Sequence, residues 1–104
     1  MSILSILGLG NSKIKQALRN GAVIIDVRTA LEFDEGKVRG SINIPVDRIS
    51  ANVERIRDMR KPIIICSDGD VRADQSATIL KANGIKEVYN AGSWMRLLKM
   101  VKSL

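Results

Sequence analysis

A chain of 104 residues fits one domain and not two. With 45% hydrophobic and 27% charged residues it has the balance of a soluble globular domain. A chain of this size buries roughly 65% of its unfolded surface, so it can fold without disulfide or metal staples. Its net charge of +6 and pI near 9.9 would attract anions. The lysines and arginines are scattered, with no dense run and no interleaved aromatics, which argues against nucleic acid and for a small anionic substrate.

One cysteine excludes an intramolecular disulfide, and there is no histidine. That removes the common zinc-ligand sets and any Cys-His or Ser-His-Asp catalysis. A lone cysteine suits a reducing compartment. The stretch Met1–Gly10 is apolar but short, without the basic start of a signal peptide and too short to span a bilayer. The expectation is a cytoplasmic protein with no membrane partner, built as an apolar N-terminal segment 1–11 and one domain over 12–104.

In chain order, Asn11 or Ser12 caps a first helix near 12–20, with Ile14, Ala17 and Leu18 on one face and Gly21 as its stop. The run Ala22 to Arg28 is continuously apolar before its polar end, as in a strand buried on both faces. Residues 30–35 give one or two helical turns before Gly36. Ser41 to Ile44 alternates as a short strand and stops at Pro45. Val46, Ile49, Val53, Ile56 and Met59 mark one face of a helix over 46–59. Pro62 to Cys66 is a second buried strand, and Ser67 to Asp70 a turn. A helix over 71–83 ends at Asn83-Gly84, Glu87 to Tyr89 is a last short strand, and Trp94, Leu97, Leu98 and Val101 mark a final helix. The alternation predicts a three-layer α/β fold: a small, mostly parallel sheet of about four to five strands with helices on both faces.

In such sheets, sites form at the carboxyl ends of the strands. Asp26 to Thr29 and Cys66 to Arg72 lie there. A cysteine between a strand and a helix N-terminus meets free amides and the positive end of the helix dipole, which lower a thiol pKa and favour the thiolate. The amides of Ser67, Asp68, Gly69, Asp70, Val71 and Arg72 would cradle an oxyanion or a persulfide, and Arg72 would grip an anionic oxygen in bidentate fashion. Against this, a lone buried cysteine is often only a small core residue. Asp68 and Asp70 would repel an anion and raise the thiol pKa unless they point outward. Asp26 would touch the loop from the neighbouring strand end or serve structure alone. Arg28 fits a structural ion pair with Glu32 or Asp26, and Trp94 fits the core or the pocket edge.

The segments Val23-Ile24-Ile25-Asp26-Val27-Arg28-Thr29 with Glu32-Phe33, Gly36 to Pro45, Ile63 to Cys66 with Gly69, and Gly84 to Trp94 occur in that order. In these segments the chain resembles a single-domain rhodanese over roughly 12–98. The resemblance implies that Cys66 is nucleophile and sulfur carrier, that residues 67–72 form its cradle, and that no metal or organic cofactor takes part. It implies as partners a small anionic sulfur donor such as thiosulfate and a thiol, protein or cyanide acceptor. Two features depart from the family. Its usual loop places arginine five positions after the cysteine, where this chain has Val71; Arg72 comes one later. Lys37 stands where many relatives have histidine.

The C-x5-R spacing resembles the phosphatases and arsenate reductases of this fold, whose larger loop holds a tetrahedral oxyanion. Three readings follow: a sulfurtransferase working through Cys66, a phosphatase or arsenate reductase, and a rhodanese-like binding module with a weakened site. Oligomeric state is left open by the sequence.

Overall fold

The computed structural model describes residues 9–104. The expected apolar N-terminal segment 1–11 falls on residues outside that span, apart from its last three. The chain begins with helix α1 (Leu9–Arg19), and Gly21, at φ +82°, turns it into strand β1 (Val23–Asp26). Helix α2 (Ala30–Glu35) and the short strand β2 (Ile42–Asn43) follow. Two 3₁₀ turns (Val46–Arg48 and Ser50–Asn52) lead into helix α3 (Val53–Asp58). Then come strand β3 (Ile63–Ser67), helix α4 (Asp70–Ala82), strand β4 (Val88–Ser93) and helix α5 (Trp94–Lys102).

The four strands pair in parallel in the order β2-β1-β3-β4. Successive side chains of a strand point to opposite faces, which explains the unbroken apolar runs of β1 and β3. Ile25, Ile63 and Ile65 pack with Val53 and Ile56 of α3 and with Ala73, Ala77 and Leu80 of α4. Ile24, Ile64 and Cys66 face the other way, against Ile14 and Ala17 of α1 and Leu97 and Met100 of α5. The result is the expected three-layer α/β architecture. Among the described residues, no helix is long and apolar enough to cross a membrane.

Two elements differ from the sequence expectation. The helix over 46–59 is two 3₁₀ turns followed by a shorter α-helix. The apolar spacing survives, because Ile49, Val53 and Ile56 are all buried. The α-helical hydrogen bonds do not: Asn52 turns its amide back onto the Arg48 carbonyl at 2.8 Å, the kind of side-chain competition that disfavours helix interiors. Strand β4 also runs four residues past Tyr89. Its register slips there, with Ile65 opposite Asn90 and Cys66 opposite Gly92, so Ala91 is bulged out beside Cys66. The Asn90 side chain accepts from the Gly92 amide at 2.7 Å, and Gly92 takes φ +68°. These residues carry turn chemistry in sequence and use it inside a strand.

Leu80 is fully buried between α4 and the sheet, whereas Leu31 on α2 is 71% exposed. Truncating Leu80 to alanine is expected to cost about 2–5 kcal/mol, while Leu31→Ala changes stability by no more than about 0.5 kcal/mol. Urea unfolding of the two variants checks the contrast.

Candidate active site

Strands β1 and β3 are neighbours, but the chain leaves them in opposite directions, from β1 to β2 on one side and from β3 to β4 on the other. This is the switch point of an open α/β sheet, where a crevice forms beyond the strand ends. Asp26 and Cys66 are register partners there, and the Val27 amide donates to the Cys66 carbonyl at 2.9 Å. Both side chains are fully buried. Cys66 follows Ile64 onto the α1/α5 face, and Asp26 follows Ile24 onto the same face.

The Asp26 carboxylate is held by Arg28. Asp26 Oδ1 accepts from the Arg28 backbone amide at 3.0 Å and from Nε at 3.0 Å, and Oδ2 accepts from Nη2 at 2.7 Å. Arg28 itself is 4% exposed. Its remaining donors reach the carbonyls of Glu32, at 3.2 Å, and Gly36, at 2.7 Å. The guanidinium lies under Trp94, 4.6 Å from the ring centroid. Gly36 leaves room for that indole, since a Cβ there would stand 2.9 Å from Trp94 Cη2. Thr29 and Glu32 close a capping box at the start of α2: the Glu32 amide donates to Thr29 Oγ1 at 3.2 Å and the Thr29 amide to Glu32 Oε1 at 3.0 Å.

The loop after β3 takes shape from Arg72. Its guanidinium forms two parallel hydrogen bonds to the Glu32 carboxylate, at 2.8 and 2.9 Å, and an ion pair with Asp68 Oδ1 at 3.0 Å. Ser67 is buried and donates from Oγ to Asp68 Oδ1 at 3.3 Å. Gly69 caps α4 with extended backbone and offers no side-chain acceptor to the amides of the first turn. Val71 points into solvent. A Cβ on Gly92 would stand 2.6 Å from Asp70 Oδ1, which puts the Asp70 carboxylate against the bulge of β4.

Charge follows from these contacts. Burial pushes the Cys66 thiol far above its ordinary range of about 8.5, and the adjacent Asp26 carboxylate raises it further, both by its charge and by accepting a hydrogen bond. Arg28 pulls the other way without prevailing. The expected lowering by the helix N-terminus is absent in this conformation, because the thiol is buried among apolar side chains beside a carboxylate. The hydrogen bonds from Arg72 and from the Thr29 amide lower the Glu32 carboxyl to about 2, and Arg72 lowers Asp68 as well.

Residues 11–97 match the family model of the rhodanese-like domain. The chain belongs to the rhodanese-like domain family. By sequence it is 36% identical over 69 residues to the uncharacterized protein YqhL of Bacillus subtilis strain 168, covering 66% of this chain and 54% of that protein. It thus spans about half the length of that relative. Among solved structures it is similar to a rhodanese with anions from E. coli (25% identity, 73% of this chain and 91% of that one, TM-score 0.66). The human single-domain sulfurtransferase TSTD1 shares the fold at 21% identity, over 85% of this chain and 91% of that one, with a TM-score of 0.68.

As a rhodanese-like domain, the chain gathers Asp26, Arg28, Cys66 and the loop 67–72 at one end of its sheet. It departs from the expected use of one residue: Arg72 grips Glu32 and Asp68 rather than facing an open cradle. Lys37 is exposed and lies over the Phe33 ring at 4.6 Å. Glu32 enters the site as the partner of Arg72, a role sequence spacing does not suggest across forty residues. The signal available was the capping-box pattern Thr29-x-x-Glu32, which ties Glu32 to the mouth of β1.

Two measurements test this charge arrangement. Iodoacetamide at pH 8 is expected to modify folded Cys66 at least about tenfold more slowly than the urea-unfolded chain, because a raised thiol pKa and burial both suppress the thiolate. The Glu32 carboxylate contributes stability above its unfolded pKa of about 4.3, and that contribution is lost as pH falls toward 2. The group is partly exposed, so solvent screening keeps the effect at about 1 kcal/mol or less. Thermal melts between pH 5 and pH 2.5 should fall less steeply for Glu32→Gln than for the parent chain.

Proposed function

We propose that this chain is a rhodanese-type sulfurtransferase, cytoplasmic in location, that carries sulfane sulfur as a persulfide on Cys66. The observation that carries the reading is the position of Cys66. It is the next-to-last residue of β3 at the switch point of the sheet, four residues before the start of a helix whose first-turn amides have no side-chain cap. Family membership supports the same reading.

The chemistry needs little from the protein beyond nucleophile and cradle. The Cys66 thiolate attacks the outer sulfur of a donor such as thiosulfate or a persulfide. One S–S bond forms on Cys66 and one breaks in the donor, releasing sulfite or a thiolate. A thiol, a protein cysteine or, in an assay, cyanide then removes the outer sulfur and regenerates Cys66. This is covalent catalysis in two steps. On this reading the amides of residues 67–72 hold the terminal sulfur, where negative charge collects. Because Cys66 is fully buried, each cycle includes an opening of the loop.

The C-x5-R spacing alone would suit a phosphatase or arsenate reductase. Arg72 in a bidentate grip on Glu32 does not favour that chemistry. The complete burial of Cys66 next to Asp26 favours a second reading, a rhodanese-like binding module without turnover.

Mass spectrometry after incubation with thiosulfate, or with a persulfide, separates the two. Sulfur transfer predicts a gain of one sulfur on Cys66. It also predicts that Cys66→Ser abolishes the adduct and cyanide-dependent turnover while the circular dichroism spectrum is kept. Absence of the adduct with every sulfane donor leaves the binding module.

A further inference from the structure

The described residues expose four large hydrophobic side chains, and three of them share one end of the molecule. Leu31 (71% exposed) is in the first turn of α2, Val71 (73%) in the first turn of α4 and Met95 (60%) in the first turn of α5. Each of these helices follows the carboxyl end of a strand: β1, β3 and β4. Contacts tie the three turns together. The Glu32–Arg72 pair joins the residues next to Leu31 and Val71. Asp70, the other neighbour of Val71, abuts Gly92, two residues before Trp94 and three before Met95. Exposed apolar residues scattered singly need no explanation, but a group on one face around a reactive centre marks a contact surface.

The charge on this face is opposite to that of the whole chain. The chain as a whole carries +6. At this end Glu32, Asp68 and Asp70 face solvent or the loop, and three arginines lie near them; Arg96 sits beside Asp70 at Gly92 and donates from Nη2 to the Ala91 carbonyl at 3.0 Å. Arg28 is buried on Asp26, and Arg72 is neutralised by Glu32 and Asp68. A dianion such as thiosulfate meets three carboxylates here, while Arg72 is held by Glu32 and Asp68 and Arg96 bonds the Ala91 carbonyl beside Asp70. A polypeptide with apolar and basic side chains beside its reactive sulfur meets both complements.

We propose that the face formed by Leu31, Val71 and Met95, with Glu32, Asp68 and Asp70, docks a polypeptide that presents its cysteine persulfide between apolar and basic residues. The inference rests on the sulfur-transfer reading of Cys66 and names its donor. The step is an exchange. Cys66 gives up its proton and attacks the outer sulfur of R–S–SH, the donor S–S bond breaks as the Cys66 persulfide forms, and R–S⁻ takes up the proton. No oxidant or reductant is consumed.

The test uses blocked five-residue peptides as their persulfides: Lys-Leu-Cys-Leu-Lys, Glu-Leu-Cys-Leu-Glu and Lys-Ser-Cys-Ser-Lys, with thiosulfate as fourth donor. Loading of Cys66 is followed by mass. The first peptide should load with a kcat/KM about tenfold above the acidic one, from charge at partly screened distances. It should exceed the serine peptide by about fivefold, from partial burial of its leucines. Val71→Ser should narrow the leucine advantage, and Asp68→Asn with Asp70→Asn should narrow the lysine advantage. Should the double variant misfold, Glu32→Gln, which keeps a capping side chain, tests the same charge. Equal loading by the three peptides, or a preference for thiosulfate, overturns the docking face and leaves sulfur transfer standing. A Val71-dependent dimer in sedimentation would also overturn it, because a second copy of this chain would then cover the face. No loading from any donor overturns the sulfur-transfer reading, and the docking inference with it.

Discussion

The candidate-site end of this domain is organised around a buried ion pair. Asp26 and Arg28 sit two residues apart where β1 leaves the sheet, and both are withdrawn from water. Burying two charges is costly, several kcal/mol per ion, and the attraction between them offsets the cost only when the remaining lone pairs and protons are also satisfied. Here they are. The carboxylate takes the Arg28 backbone amide as well as its guanidinium, and the guanidinium spends its other donors on the carbonyls of Glu32 and Gly36. No buried side-chain nitrogen or oxygen among the described residues lacks a partner. The pair thereby fixes three things at once: the environment of Cys66 beside Asp26, the seat of α2 over the strand ends, and the resting place of Trp94.

From that pair outward, charge alternates toward solvent. Asp26 meets Arg28, Arg28 reaches the Glu32 backbone, the Glu32 carboxylate meets Arg72, and Arg72 meets Asp68. The arrangement explains why the extra residue in the loop does not by itself make an oxyanion clamp. An arginine six positions after the cysteine serves a tetrahedral anion only if its fork is free, and here two carboxylates occupy it. Burial and the adjacent Asp26 carboxylate together hold Cys66 as a protonated thiol in this structure.

Much of this architecture is legible in the chain. The unbroken apolar runs of β1 and β3 announce strands covered on both faces, and Cys66 falls where the second run meets a helix. What escapes a linear reading is what depends on partners distant in sequence. Ile49, Val53 and Ile56 keep a helical spacing, yet Asn52 diverts the backbone into 3₁₀ turns. Asn90 and Gly92 look like a turn, but β3 lies alongside to pair with them and makes them a bulged strand. Counting residues locates Arg72 in the loop but cannot say that its fork turns to Glu32, because that choice is made by the capping box that holds Glu32 at the mouth of β1.

Trp94 gives this arrangement a practical side. It is the chain's only tryptophan, and its ring lies on the guanidinium whose edge is bonded to Asp26, the neighbour of Cys66. Any movement that uncovers Cys66 by shifting Asp26 or Arg28 changes what the indole touches. The domain thus carries its own optical reporter: intrinsic fluorescence from a single ring, with no label added, responds to any rearrangement of the Asp26–Arg28 pair.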